Sequence, residues 1–110
     1  MTQRTDKELL ELAAKAAGIT VLDHEYEDCS GFTYRLSEHQ KPIDSFNPLN
    51  DDGDALRLAV KLSALVDINN GKTACVLLGP ETDSVQHDSD PYAATRRAIV
   101  RAAAEIGAKL

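Results

Sequence analysis

The sequence predicts an α+β protein in which helix, hairpin, helix, hairpin and helix follow one another. Three observations carry this. Apolar residues recur at helical spacing in three stretches, each opened by a capping residue. Between the helices lie two pairs of short β-prone runs, each pair joined by turn-forming residues. The resulting order places four strands in one mainly antiparallel sheet with helices packed on it. If its third strand is covered on both faces, the helices lie on both sides as an α/β/α three-layer sandwich. At 110 residues the chain, 1–110, reads as one domain. With aromatics at 5% and no Trp, the core falls to Leu, Ile, Val and Ala.

In chain order, residues 1–4 read as a flexible tail. Thr5-Asp-Lys-Glu8 is a capping box, in which the Thr5 hydroxyl and the Glu8 carboxylate satisfy each other's amides. Leu9, Leu12, Ala13 and Ala16 form the first helix's apolar stripe, widened by Leu10 and Ala17. Lys7, Glu11 and Lys15 occupy the solvated side, and Gly18 ends the helix. Residues 19–27 and Phe32–Leu36 predict a hairpin around the Asp28–Gly31 turn, with Phe32, Tyr34 and Leu36 alternating at period two.

Residues 37–50 have no usable period and contain Pro42 and Pro48, so they read as a long acidic loop whose end is tied down by Phe46 and Leu49. The second helix runs from about Asp52 to Leu62, with Ala55, Leu58, Ala59 and Leu62 on one face and Leu56 and Leu65 at its margins. So wide a face suggests a helix pressed on a sheet. Leu65–Ile68 and Thr73–Leu78 flank Asn69-Asn-Gly-Lys72, the strongest short hairpin signal, although Leu65 and Val66 could extend the helix instead. The apolar run from Cys75 to Leu78 reads as an interior strand. Residues 79–90 form a second acidic loop, and Asp90-Pro91 caps the last helix. Tyr92, Ile99, Ala103, Ile106 and Leu110 share that helix's stripe, with Arg97, Arg101 and Glu105 opposite and the last two able to pair.

The formal net charge is −6, and from Pro91 onward three Arg and one Lys face one Glu, a local excess of +3. The remaining acidic body argues against non-specific nucleic-acid binding, which needs several cations on phosphates. Cys29 and Cys75 lack CxxC or zinc spacing, which suits reduced thiols in a cytoplasmic protein. No apolar run is long enough to span a membrane, and no signal-like segment opens the chain.

Asn47 to Leu62, with Leu9 to Gly18 and Asp90 to Gly107, resembles the phage ABA-sandwich-domain family of small phage and prophage proteins. The three blocks cover about two-fifths of the chain. The intervening hairpins match loosely, and Phe46 stands where members often carry Trp. The resemblance implies a helix–sheet–helix sandwich and a phage-related genome, and carries no catalytic residues with it.

The acidic run Asp51, Asp52 and Asp54 sits where a helix starts, and capping plus charge–dipole attraction account for it. Gly53 breaks EF-hand register and no Glu closes a twelve-residue loop, so no metal is assigned, although Asp88 or Asp90 could complete a looser divalent site. There is no phosphate-binding glycine motif, and no cofactor is implied. Among His24, His39 and His87, only His87 has an adjacent carboxylate, Asp88. A cysteine beside one of these histidines would be the minimal nucleophile–base pair of a small hydrolase.

Arg96 lies about 40° from the centre of the last helix's stripe. It can snorkel, hold an anionic ligand, or reach the Asp52 and Asp54 carboxylates; the last is the expectation. The sequence thus points to a non-enzymatic module that binds a host or phage protein in the cytoplasm of a bacterial host, by way of Asp52, Asp54, His87, Asp88, Arg96 and Arg97. The alternative is sequestration of a small molecule such as a nucleotide signal, with Arg96 or Arg97 facing a pocket between the helix starts. Ala-rich exposed faces on the last helix leave room for a homodimer.

Overall fold

A computed structural model describes residues 4–18, 20–28, 31–38, 41–76 and 85–110. Ile19, Cys29, His39, Leu77, Leu78, Glu81 and Asp83 lie outside the described residues, as does the side chain of His24. The elements run α1 (Asp6–Ala16), β1 (Thr20–Asp28), β2 (Gly31–Glu38), β3 (Lys41–Phe46), α2 (Asp52–Lys61), β4 (Leu65–Asn69), β5 (Lys72–Val76), β6 (Val85–Gln86) and α3 (Pro91–Gly107).

The α+β class and the predicted order of helices and hairpins are present. The single four-stranded sheet is not: the strands pair as β1-β2-β3 and, separately, as β4-β5-β6, both antiparallel. Each predicted hairpin gains a third strand from a segment expected to be loop. Lys41–Phe46 pairs with β2 inside the expected 37–50 loop, and Val85–Gln86 pairs with β5 inside the expected 79–90 loop. Neither segment advertises itself, because a short strand is held by its neighbour's ladder rather than by its own periodicity.

Local chemistry sets the element ends. Thr5 and Glu8 form the expected capping box, at 3.0 and 3.2 Å. Bonding to Thr5, its amide foremost, holds the Glu8 carboxyl below its ordinary value. Gly18 follows α1 at φ +71°. Helix α2 closes in a Schellman motif: Ala64 N–H donates to Ala59 C=O at 2.9 Å and Ser63 N–H to Val60 C=O at 3.1 Å. Ser63 takes the left-handed position, φ 54°, where glycine is usual. The β4–β5 turn has positive φ at both Asn70 (53°) and Gly71 (73°), as type I′ demands.

Helix α3 is the hub. Ala98, Ile99, Val100, Ala102, Ala103 and Ala104 are all buried, so its middle is covered nearly all round. It packs against α1, α2, β5 and β6. Alanines permit this because they let backbones approach closely. At Gly107 a Cβ would lie 2.0 Å from the Leu12 carbonyl oxygen, so only glycine fits there. Tyr92 and Leu110, assigned to the buried stripe, are exposed, because the helix's contacts centre on its middle. The Ala-rich faces that left room for a homodimer lie in the core.

Helix α2 buries Ala55, Leu58 and Ala59 and packs on α3, a helix, rather than on a sheet. In β5, Thr73 and Cys75 are buried while Ala74 and Val76 are half-buried. Among the described residues this sheet therefore has one face turned to α3, and Leu65 on the other is exposed. The apolar run from Cys75 had suggested cover on both faces; Ala74 and Val76 on the second face are half-buried, and Leu77 and Leu78 lie outside the described residues.

Candidate functional site

Asp52, Asp54 and Arg96 fall in one cluster and His87 in a second, each with a residue of α3, while Arg97 pairs elsewhere. The first gathers the start of α2. Asp51 is its N-cap, its carboxylate accepting from Asp54 N–H at 2.8 Å. The Asp54 carboxylate reaches back to Asn47 N–H at 2.9 Å and also accepts from Arg57 Nη2 at 2.7 Å. The Asn47 carbonyl takes the amides of Asn50 and Asp51 at 3.1 and 2.9 Å. Phe46, Pro48 and Leu49 are buried beneath this turn, so the expected anchoring by Phe46 and Leu49 is present.

Arg96 closes the cluster from α3. Its Nε donates to the Leu49 carbonyl at 2.8 Å and its Nη1 to Asp52 Oδ1 at 2.6 Å. The expected link between the two helix starts therefore exists, through Asp52 and not Asp54. The arginine side chain is 15% exposed and the aspartate 72%. One planar guanidinium satisfies a backbone carbonyl and a carboxylate together, a geometry that lysine cannot copy.

Arg97, next on α3, pairs instead with Asp6 at 3.1 Å, the first residue of α1. Glu105, expected to pair with Arg101, accepts from Arg4 at 3.0 Å, which ties residue 4 of the expected flexible tail to α3. Each aspartate of the acidic run thus has donors from the protein itself, in keeping with a helix-start device. Among the described residues no group of three metal-ligating side chains forms.

The second cluster surrounds His87. Its backbone N–H donates to Gly71 C=O at 2.8 Å, and its Nε2 lies 2.7 Å from Thr73 Oγ1. Thr73 Oγ1 lies 3.0 Å from Thr95 Oγ1, which donates to the Pro91 carbonyl at 2.8 Å. The directions follow from counting protons. A carbonyl only accepts, so the Thr95 proton goes to Pro91 and Thr95 accepts from Thr73. Thr73 has then spent its one proton, and His87 Nε2 must carry the hydrogen that completes the chain. His87 is a donor here and does not act as a base towards Thr73. Sequence reasoning paired His87 with Asp88; the structure gives it two threonines that no sequence pattern marks. Asp88 is exposed, with backbone φ 35°, and Asp90 caps α3, accepting from Tyr92 and Ala93 N–H at 3.0 and 3.1 Å.

Cys75 lies in the core, and burial pushes its thiol up to about 11. At neutral pH it holds its proton, which removes its value as a nucleophile. No helix among the described residues is long and apolar enough to cross a membrane. No protein-family model matches the chain, no curated protein does, and no solved structure does.

Proposed function

We propose that this chain is a phage or prophage accessory protein, related to the phage ABA-sandwich-domain family, that acts without catalysis by binding a host or phage protein in the bacterial cytoplasm. The observation that carries the binding reading is an apolar pair on the exposed side of α2. Leu56 and Val60, one helical turn apart, are 64% and 69% exposed, although Ala55, Leu58 and Ala59 of the same helix are buried. Exposed apolar neighbours on a well-packed scaffold are what a docking surface needs. The net charge of −6 favours encounter with a basic partner.

The donor role of His87 and the protonated Cys75 thiol support a role without nucleophilic chemistry. The ion pairs of Arg96 and Arg97 weigh against small-molecule sequestration between the helix starts, since an anionic ligand there would have to displace Asp52 or Asp6. The test is capture from bacterial lysate at low and high salt, with the wild-type chain beside a Leu56→Asp, Val60→Asp variant. The reading expects a protein retained by the wild type at low salt and lost with the variant. An identical set on both baits, or none at low salt, contradicts it.

A further inference from the structure

We propose that the edge of β4 facing away from β5 is a strand-addition site for an extended segment carrying a basic residue between two apolar ones. This rests on the binding-module reading and adds to the α2 surface a second contact, made through backbone. In the order β4-β5-β6, β4 has one neighbour among the described residues. Its register with β5 runs from Asn69↔Lys72 to Leu65↔Val76 without a bulge, and Asp67 is the one charged guard on the edge.

The turn fixes which backbone groups face outward. A two-residue type I′ turn is closed by a hydrogen-bonded pair, here Asn69 and Lys72. Alternation then makes Asp67↔Ala74 and Leu65↔Val76 hydrogen-bonded as well. Val66 and Ile68 occupy the intervening positions, so their N–H and C=O groups point away from β5 to the open edge. An added antiparallel strand bonds to these two residues. Its residue between them sits opposite Asp67 in the wider-spaced position, where side chains come closest.

Asp67 therefore selects the occupant. A second copy adding by two-fold symmetry in the register that bonds both residues pairs Val66 with Ile68 of its partner and sets Asp67 against Asp67, which like-charge repulsion opposes. A segment with lysine or arginine at that place gains an ion pair instead. Its two flanking residues share the faces of Val66 and Ile68, the latter exposed and apolar, so apolar β-branched residues suit them.

The test is an amide-resolved NMR titration with two capped peptides, Thr-Val-Lys-Val-Thr and Thr-Val-Glu-Val-Thr. The site predicts shifts centred on the Val66 and Ile68 amides and roughly fivefold tighter binding of the lysine peptide. In Asp67→Lys, whose altered side chain is exposed, the preference reverses. Unmoved Val66 and Ile68 amides at millimolar peptide, or a preference that Asp67→Lys leaves as it was, overturns the proposal. A chain that ignores both peptides yet captures a protein through Leu56 and Val60 keeps the binding reading and loses this edge.

Discussion

Arg96 and Arg97 are neighbours on α3, and each holds the first residue of a different helix: Asp52 of α2 at 2.6 Å and Asp6 of α1 at 3.1 Å. Successive helical positions diverge by about 100°, so two adjacent cations can serve two helices packed on different sides of one hub. The two contacts differ in depth. Arg96 is largely buried and also holds the Leu49 carbonyl, whereas both partners of the Arg97 pair are well exposed. Replacing Arg97 by alanine should accordingly cost about 0–1 kcal/mol, as for other surface pairs, and urea unfolding measures it.

Gly107 should tolerate nothing larger. An alanine Cβ would meet the Leu12 carbonyl carbon and oxygen, backbone atoms that cannot swing aside. Gly107→Ala must push α1 from α3, and we expect a loss of about 1–3 kcal/mol in urea unfolding. The higher helix propensity of alanine, worth at most about 1 kcal/mol, works the other way and should not offset it.

Ser63 offers the reverse case. It sits at φ 54° in the Schellman position, where a side chain is strained. Ser63→Gly should leave both closing hydrogen bonds in place and raise stability by about 0.5–1 kcal/mol, despite the greater freedom of glycine in the unfolded chain. A thermal melt reads this as a higher midpoint.

The threonine chain gives a prediction for His87. Its neutral ring should be the Nε2–H tautomer, with the Nδ1 lone pair uncommitted to Thr73; the two nitrogen shifts in an NMR spectrum report this directly. Thr73→Val keeps the shape and removes the middle hydroxyl. We expect a cost of about 1–3 kcal/mol, because the imidazole donor and the Thr95 hydroxyl both lose a partner in a half-buried place.

Cys75 links stability to pH. Burial raises its folded value from an ordinary 9.0 to about 11, so between these values the unfolded chain releases a proton that the folded chain keeps. The contribution is fully present below pH 9 and fades as pH climbs through 9 to 11. Cys75→Ser or Cys75→Ala should flatten that part of the stability curve, measured by denaturant midpoints at successive pH. In the native protein the thiol should react with a disulfide reagent far more slowly at pH 8 than after unfolding.

What could be read from sequence was the chemistry that acts over three or four residues. The Thr5–Glu8 box, the Asn70-Gly71 turn, Gly18 and Asp90-Pro91 each declare themselves because donor and acceptor lie within one turn of chain. Arg96 was legible for a related reason, since helical geometry places it near the apolar stripe with a charge to satisfy. The third strands were not, because Lys41–Phe46 and Val85–Gln86 depend on partners already in place. Nor was the nearly all-round burial of the middle of α3, whose alanines weigh little in any hydrophobic pattern yet permit the closest packing. The His87–Thr73–Thr95 chain joins β5, α3 and the residue after β6 through hydroxyls, and spacing in sequence carries no trace of it.

The central claim is that the acidic run at the start of α2 is a structural clasp closed by Arg96, and a double-mutant cycle between Arg96→Ala and Asp52→Ala tests it most directly. By urea unfolding, Arg96→Ala should cost about 2 kcal/mol and Asp52→Ala about 1 kcal/mol or less, since the exposed aspartate leaves Arg96 its Leu49 carbonyl. The pair should cost about 0.5–1 kcal/mol less than the sum of the singles, the signature of a shared contact. An Arg96→Ala protein that unfolds at the wild-type urea midpoint would contradict the clasp.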